Sequence, residues 1–271
     1  MQTIERLLTY PEITTGEAER LRGHAADIIE GNLEQFTDAF QPSNSTNGFY
    51  TPSGNTTWTT GFWTGEIWLA YEKTGSSRLR AAGERQVESF LERIRNKVDV
   101  AHHDMGFLYS PSCVAAWKLT GNAHAREAAV LAADNLMERF QEKGGFFQAW
   151  GALGAEDNYR LIIDCLLNMP LLFWAGEVTG NPDYRQKAAI HIQNAMKYVI
   201  RPDHSTYHTY FFDPATGEPR KGVTHQGYRD GSAWARGQAW GIYGAALSYS
   251  RLKNPEYIDI FEKLTDFFLT H

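Results

Sequence analysis

The sequence predicts an all-α protein, an α/α toroid assembled from helical hairpins. The main observation is a phrase that recurs where apolar helical runs end, in which Thr-Gly or a variant of it is followed at once by a new run. Its copies are Tyr71-Glu-Lys-Thr-Gly-Ser, Trp117-Lys-Leu-Thr-Gly-Asn, Gly176-Glu-Val-Thr-Gly-Asn and a weaker Ser250-Arg-Leu-Lys-Asn-Pro. Glycine ends a helix in the left-handed conformation and Ser or Asn begins the next, so each copy predicts a hairpin corner.

The helical runs between these corners are of two kinds. One kind is amphipathic with a charged face, as expected of an outer layer. The other is rich in Gly, Ala, Cys and Trp and carries almost no Lys, as expected of inner helices packed on several sides. The predicted runs are 16–40, 61–73, 78–96, 106–119, 124–142, 158–179, 182–200, 233–252 and 255–270. Strand-like alternation is clearest in Tyr207–Phe212, which predicts one arm of a hairpin.

The connections that precede the inner helices are long, whereas the Thr-Gly corners are tight. These connections span 41–60, 97–105, 143–157 and 202–232. Long loops commonly carry function, and the N-termini of helices attract anions. We therefore expect the functional residues on one face, around the N-termini of the inner helices.

The composition restricts the classes of function. The 271 residues carry a formal net charge of −6, which disfavours nucleic acid and anionic membranes as partners. Met1–Tyr10 does not have the pattern of a secretory signal, and no run of eighteen apolar residues occurs. Cys113 and Cys165 lie in apolar stretches, which predicts reduced thiols and a cytoplasmic location. Aromatic residues make up 13% of the chain, which suits carbohydrate binding as well as core packing.

Asp164 is the first candidate for chemistry. It lies in the apolar stretch Leu161-Ile-Ile-Asp-Cys-Leu-Leu, where burial would raise its pKa and make it a general acid. The structural alternative is a buried ion pair with Arg160, because Arg160 and Asn168 lie four residues to either side on one predicted helical face.

Asp104 is the second candidate. It follows His102 and His103 at the predicted start of a helix, where it fits an N-cap as well as a functional group. Adjacent residues rarely bind one metal ion without further ligands, and the sequence has no recognisable partner motif. We therefore predict no metal site.

Aromatic and polar residues accompany the long loops. Arg236 and Trp240 are four residues apart at the start of an inner helix, so they fit either a carboxylate clamp beside a sugar-stacking ring or a cation–π pair in the core. The other candidates are Trp58, Trp150, His208, His225 and Gln226. Together with two carboxylates on one face of a toroid, these residues indicate a glycan-active enzyme.

Four segments resemble the bacterial unsaturated glucuronyl hydrolases, which act on unsaturated chondroitin and hyaluronan disaccharides. They are His102-His-Asp-Met-Gly-Phe-Leu-Tyr-Ser, Tyr159-Arg-Leu-Ile-Ile-Asp-Cys-Leu-Leu-Asn, Tyr207-His-Thr-Tyr-Phe-Phe-Asp-Pro and Trp234-Ala-Arg-Gly-Gln-Ala-Trp-Gly-Ile-Tyr-Gly. The resemblance runs from about Trp58 to the end of the chain. It implies a single (α/α)6-barrel domain over residues 1–271, which uses no cofactor and acts on oligosaccharides produced by polysaccharide lyases.

The resemblance also implies a role for each candidate. Asp164 would protonate C4 of a terminal 4,5-unsaturated uronic acid and then, as a carboxylate, take a proton from the water that attacks C5. Asp104 would hold the substrate and help to keep Asp164 protonated. The implied substrate-binding positions are Trp58, His103, Trp150, His208, Gln226, Arg236 and Trp240.

Three other functions compete with this interpretation. An unsaturated rhamnogalacturonyl hydrolase would use the same chemistry on pectin fragments, a sugar epimerase would use histidine as its acid and base, and a non-catalytic toroid would only bind glycans. Family members are also longer than this chain, and six hairpins need twelve helices where nine are predicted. We therefore expect a chain that is incomplete at its C-terminal end, or one that needs a second polypeptide to close the ring.

Overall fold

The structure is a computed structural model, and it describes residues 9–271. The prediction made for Met1–Tyr10 therefore lies largely outside the described residues. The described chain is mainly helical, which confirms the predicted all-α class. Across residues 9–271, no helix is both long enough and apolar enough to cross a membrane.

With three exceptions, the helices begin and end within four residues of the predicted runs. The helices are α1 (Thr15–Phe36), α2 (Thr60–Thr74), α3 (Ser77–Arg95), α4 (Met105–Tyr109), α5 (Ala115–Thr120), α6 (Ala123–Met137), α7 (Met169–Thr179), α8 (Pro182–Val199), α9 (Ala235–Leu252) and α10 (Glu256–Thr270). The strands are β1 (Phe140–Gln141), β2 (Phe146–Phe147), β3 (Arg160–Ile162), β4 (Thr209–Phe212) and β5 (Pro219–Val223). A π-helical turn, Ser110–Val114, separates α4 from α5, and 3-10 turns span Glu156–Asn158 and Ile163–Leu167.

The recurring phrase forms the predicted corners. Gly75, Gly121 and Gly180 end α2, α5 and α7 with φ angles of 71°, 73° and 75°. At each corner the preceding Thr hydroxyl donates to a carbonyl four residues back and accepts the N–H of the residue after the glycine. At the weaker fourth corner, Lys253 takes the left-handed conformation with a φ of 58°.

The predicted helix 158–179 is wrong in its first half. Residues Arg160–Ile162 form β3, which pairs with β4, and Asp164 lies in the 3-10 turn that follows. Arg160 and Asp164 therefore do not share a helical face. Pro170 lies in the first turn of α7, where its missing N–H needs no partner.

Two further predictions need correction. The predicted helix 106–119 is interrupted by the π-helical turn Ser110–Val114, which contains Pro111. The predicted run 124–142 is too long, because α6 ends at Met137 and Phe140–Gln141 pair with Phe146–Phe147 as strands. The hairpin arm predicted at Tyr207–Phe212 is confirmed, since β4 lies between β3 and β5 in an antiparallel sheet.

The chain forms two compact units, each described here by itself. The amino-terminal unit comprises Pro11–Val100 and Asp104–Asn135. In it, α2 packs against α1, α3, α4 and the π-helical turn, around a core that contains Trp63, Trp68 and Phe90.

Among the described residues, the carboxy-terminal unit comprises Thr9–Tyr10, Ala101–His103 and Leu136–His271. In it, α7 packs on α8, and α9 packs on both α10 and the 3-10 turn that holds Asp164. Glycines of α9 permit the second approach: a Cβ at Gly244 would lie 2.7 Å from the Cβ of Leu166, and one at Gly241 would lie 3.3 Å from Ile163. The backbone around Asp164 is thus fixed by the sheet on one side and by α9 on the other.

Candidate active site

Asp164 lies beside His103 in the carboxy-terminal unit. Asp164 Oδ1 is 3.5 Å from His103 Nε2, and the two side chains are 20% and 1% exposed. The Ile163 N–H donates to the carbonyl of His208 at 3.0 Å, and Asn168 Nδ2 donates to the carbonyl of Asp164 at 3.4 Å. A carboxyl group that is fixed beside a buried imidazole and still reaches solvent has the placement of a general acid or base.

The backbone of His103 is hydrogen-bonded to the segment that leads from β2 to Trp150. The His103 N–H donates to the carbonyl of Ala149 at 2.8 Å, and the His103 and Trp150 rings meet edge to face with their centroids 6.3 Å apart. The guanidinium of Arg160 lies over the Trp150 ring at 4.6 Å and over Phe211 at 5.3 Å. The rings of Trp150 and Phe211, with the Arg160 guanidinium over them, thus form an aromatic wall that carries a positive charge beside His103.

Buried polar side chains hold the Trp150 loop. Gln148 Nε2 donates to the carbonyls of Trp150 and Ala152, at 3.0 and 2.9 Å. Arg139 donates from Nε to the carbonyl of Gln148 at 2.7 Å and from Nη2 to that of Gly151 at 3.2 Å. Because both side chains are buried, the position of Trp150 is set by the protein before any ligand binds.

His208 is a buried, neutral imidazole at physiological pH. Burial lowers its pKa to about 4, and the positive charges of neighbouring groups, with His225 first among them, act in the same direction. Its Nδ1 lies 2.6 Å from the hydroxyl of Thr209. The His208 ring meets Trp234 edge to face at 4.9 Å and His225 at 5.7 Å. A neutral imidazole keeps one donor and one acceptor for hydrogen bonds.

Arg236 is exposed and oriented by two neighbours. Its guanidinium lies over the Trp234 ring at 4.4 Å, and its Nη2 donates to Gln226 Oε1 at 2.7 Å. The cation–π partner that the structure gives Arg236 is therefore Trp234, whereas the sequence had suggested Trp240. Trp240 lies one turn further along α9 and is partly buried.

Asp104 and Trp58 belong to the amino-terminal unit. Asp104 is at the N-cap position of α4, as predicted, but its side chain makes no capping hydrogen bond. Trp58, Phe62 and Phe107 form a triangle of edge-to-face rings with centroids 5.5 to 6.0 Å apart. Trp58 is partly buried and Phe62 is 37% exposed, so this aromatic cluster reaches the surface.

In the carboxy-terminal unit, the predicted site residues other than Trp240 lie in three groups. His103, Trp150 and Asp164 lie together, His208 lies against His225 and Trp234, and Gln226 binds Arg236. The sequence analysis missed Trp234 and the role of Arg160 as a ring partner, because both depend on contacts between distant segments. It also missed Phe62, although the spacing Trp58-Thr-Thr-Gly-Phe places that ring one helical turn from Trp58.

The chain is similar to known glycosidases. Residues 32–268 match Glycosyl Hydrolase Family 88. An unsaturated chondroitin disaccharide hydrolase of Streptococcus agalactiae is 49% identical over 98% of this chain and 67% of its own. The crystal structure of unsaturated glucuronyl hydrolase from the same species has a TM-score of 0.94, at 48% identity, over 98% of this chain and 67% of that one.

A further structure from that species, an Asp-to-Asn variant complexed with dGlcA-GalNAc6S, has a TM-score of 0.82 at 43% identity, over 97% of this chain and 65% of that one. The chain therefore spans about two thirds of the length of the relatives that it matches, as the expectation of a shorter chain implied. With a family match over most of its length and relatives near half identity, the chain belongs to glycosyl hydrolase family 88.

Proposed function

We propose that the protein is a glycosidase that releases a terminal 4,5-unsaturated uronic acid from oligosaccharides of the glycosaminoglycan type. The observation that carries this proposal is the contact of Asp164 with His103, beside an aromatic wall that carries a cation. The name of the Streptococcus agalactiae relative, and the dGlcA-GalNAc6S with which a structure from that species is complexed, support the same class of substrate.

The proposed reaction is the hydration of the vinyl ether double bond, with Asp164 as acid and then as base. The Asp164 carboxyl gives its proton to C4, and the ring oxygen stabilises the positive charge that develops at C5. The resulting carboxylate takes a proton from the water whose oxygen bonds to C5. The hemiketal formed in this way opens and expels the remaining sugar, so one water is consumed and Asp164 regains its proton. In the proposed reaction Asp104 holds the substrate.

The substrate is an anion, whereas the chain has a net charge of −6, so binding requires local positive charge. Arg236, held by Gln226, and Arg160, held over Trp150, supply it. His208 remains neutral and forms hydrogen bonds without adding charge. Trp58, Trp150 and Trp240 provide rings on which sugars stack. We further propose that the enzyme works in the cytoplasm, downstream of polysaccharide lyases, in keeping with its two buried free thiols, Cys113 and Cys165.

The test follows the ultraviolet absorbance of the conjugated double bond in an unsaturated chondroitin disaccharide. We expect the wild type to remove this absorbance and Asp164→Asn to leave it. Asp259→Asn is the matched control, because Asp259 is an exposed aspartate of α10 that forms an ion pair with Lys263, four residues away. Turnover by Asp164→Asn would refute the assigned acid and favour a histidine-based reaction.

A second arm uses an unsaturated pectin-derived disaccharide. Faster turnover of this substrate than of the chondroitin disaccharide would replace the glycosaminoglycan assignment with the rhamnogalacturonyl one. Binding of either disaccharide without turnover, followed by tryptophan fluorescence, would refute the enzymatic proposal in favour of a glycan-binding protein.

A further inference from the structure

One buried cation joins two of the long connections in the amino-terminal unit. The side chain of Arg93, in the last turn of α3, is 1% exposed. From Nη1 it donates to Asn55 Oδ1, the carbonyl of Thr57 and the hydroxyl of Thr60, at 2.9, 3.0 and 3.1 Å. These residues surround Trp58 on both sides in the chain, so three acceptors of one guanidinium fix the segment that carries this ring.

The other nitrogens of Arg93 hold the turn after α3. Nε donates to the carbonyl of Val98 at 3.2 Å, and Nη2 donates to the carbonyl of Asp99 at 2.8 Å. Within this turn, Lys97 and Asp99 have positive φ angles of 52° and 45°, which are unfavourable for residues with a side chain. Such a backbone conformation persists only where the surrounding structure holds it in place, and residues of this kind are concentrated near functional sites.

A buried Asn extends the same arrangement toward Asp104. Asn135 Nδ2 donates to the carbonyl of Val100 at 2.8 Å, and its Oδ1 accepts from Lys97 Nζ at 2.7 Å. The turn that Arg93 holds is thus tied down again four residues before Asp104. In this unit, the Trp58 segment and the chain that leads to Asp104 are both fixed from the end of α3.

Within the described part of the chain, Arg93 is a buried charge without a close counter-ion, which is unusual for an interaction that serves stability alone. Its acceptors are neutral oxygens, apart from the exposed carboxylate of Asp99 at 3.7 Å, so burial of the charge is not balanced by a close ion pair. Burial accordingly lowers the pKa of Arg93. What Arg supplies here is a rigid planar fork with five N–H donors in fixed directions, which Lys does not have.

We propose that Arg93 is a positioning residue that sets the substrate-stacking ring Trp58 and the turn leading to Asp104. The proposal rests on the proposed function for the meaning of Trp58, but the geometry it predicts does not depend on turnover. It assigns to the outer helix α3 a role in the site, through hydrogen bonds alone. Trp58 is then fixed before the substrate binds, which reduces the conformational entropy that is lost on binding.

The test compares Arg93→Lys with Val87→Ala in protein labelled with 5-fluorotryptophan. Arg93→Lys keeps the charge and removes the fork, whereas Val87 is fully buried on the same helix and its side chain has no hydrogen-bonding group. The chain has eight Trp, and the fluorine resonance of Trp58 is assigned by its loss in Trp58→Phe. We expect Arg93→Lys to shift or broaden the Trp58 resonance, and Val87→Ala to leave it in place.

Kinetics on the unsaturated disaccharide supply the second readout. We expect Arg93→Lys to raise KM about tenfold with a much smaller change in kcat, because Trp58 acts in binding rather than in proton transfer. Each variant is assayed at the same number of degrees below its own Tm, and under this condition Val87→Ala should have the KM of the wild type. An unchanged Trp58 resonance in folded Arg93→Lys overturns the proposal, whether or not the wild type is active.

If Arg93→Lys does not fold, Asn55→Ala replaces it. This change removes one acceptor on the Trp58 segment and leaves the bonds to Val98 and Asp99 in place. A shifted Trp58 resonance with a raised KM supports the proposal. A resonance at the wild-type position refutes it.

Discussion

Gly61 allows α2 to lie directly against the backbone of α4, next to the Trp58 cluster. A Cβ at this position would be 2.3 Å from the carbonyl oxygen of Phe107 and 2.5 Å from that of Leu108. Ordinary contacts of a Cβ begin near 3.4 Å, so Gly61→Ala requires the two helices to separate by about 1 Å. Neither neighbour is a flexible side chain that could move away.

The expected effect is a net loss of stability. Overpacking of this kind costs typically about 1–3 kcal/mol, whereas Gly to Ala in a helix gains at most about 1 kcal/mol. We therefore expect Gly61→Ala to lower the free energy of unfolding by about 2 kcal/mol, and Tm by about 4–8 °C for a chain of this size. Because Phe107 contacts Trp58 at 5.6 Å, separation of the helices should also raise KM.

Calorimetry measures both this variant and a matched control, Gly31→Ala. Gly31 lies in α1 and has no heavy atom within 4 Å of the position that a Cβ would take, so Ala there should stabilise by about 0.5–1 kcal/mol. A Tm for Gly61→Ala that equals or exceeds that of the wild type would show that the close packing of α2 on α4 is not as described.

Three further outcomes are expected. Burial lowers the pKa of His191 from 6.5 to about 3, so between these pH values the unfolded chain binds more protons than the folded one, and stability falls as the pH falls below about 6.5. His191→Gln should therefore make the decrease of Tm between pH 6.5 and 4.5 less steep. An unchanged slope would contradict the assignment of this decrease to His191. Asn122→Ala removes the side-chain acceptor of the Ala125 N–H at the start of α6 and should cost about 1 kcal/mol in denaturant unfolding, whereas no loss would mean that this cap is dispensable. Arg160→Gln leaves Trp150 without its cation and should raise KM severalfold with little change in Tm; an unaltered KM would exclude Arg160 from anion binding.

The repeating corners show how much of the fold is local information. Thr-Gly followed by Ser or Asn specifies a left-handed residue, a hydroxyl bonded to the last helical turn and a cap for the next helix, all within about six residues. The structure has these features at Gly75, Gly121 and Gly180, and the helices that end or begin at these corners do so within one residue of the predicted limits. Family membership is equally accessible, because long ordered motifs survive in the sequence.

The surroundings of Asp164 are different. Residues 158–168 have the apolar pattern of a buried helix, but Arg160–Ile162 pair with Thr209–Phe211, nearly fifty residues further along the chain. Periodicity within a short apolar run does not distinguish a buried strand from a buried helix, since the choice depends on a partner elsewhere. The contacts of Asp164 with His103 and of Arg160 with Trp150 follow from that pairing.

The helical class, the hairpin corners and the family can be recognised in the sequence, because they depend on neighbouring residues or on long motifs. Which side chains meet depends on the tertiary structure. It buried Arg93 on a helix whose pattern is that of an exposed, charged surface, and it gave Arg236 the ring of Trp234. The physical reason is that a charged side chain is buried where distant acceptors converge on it, and no local pattern records where those acceptors will lie.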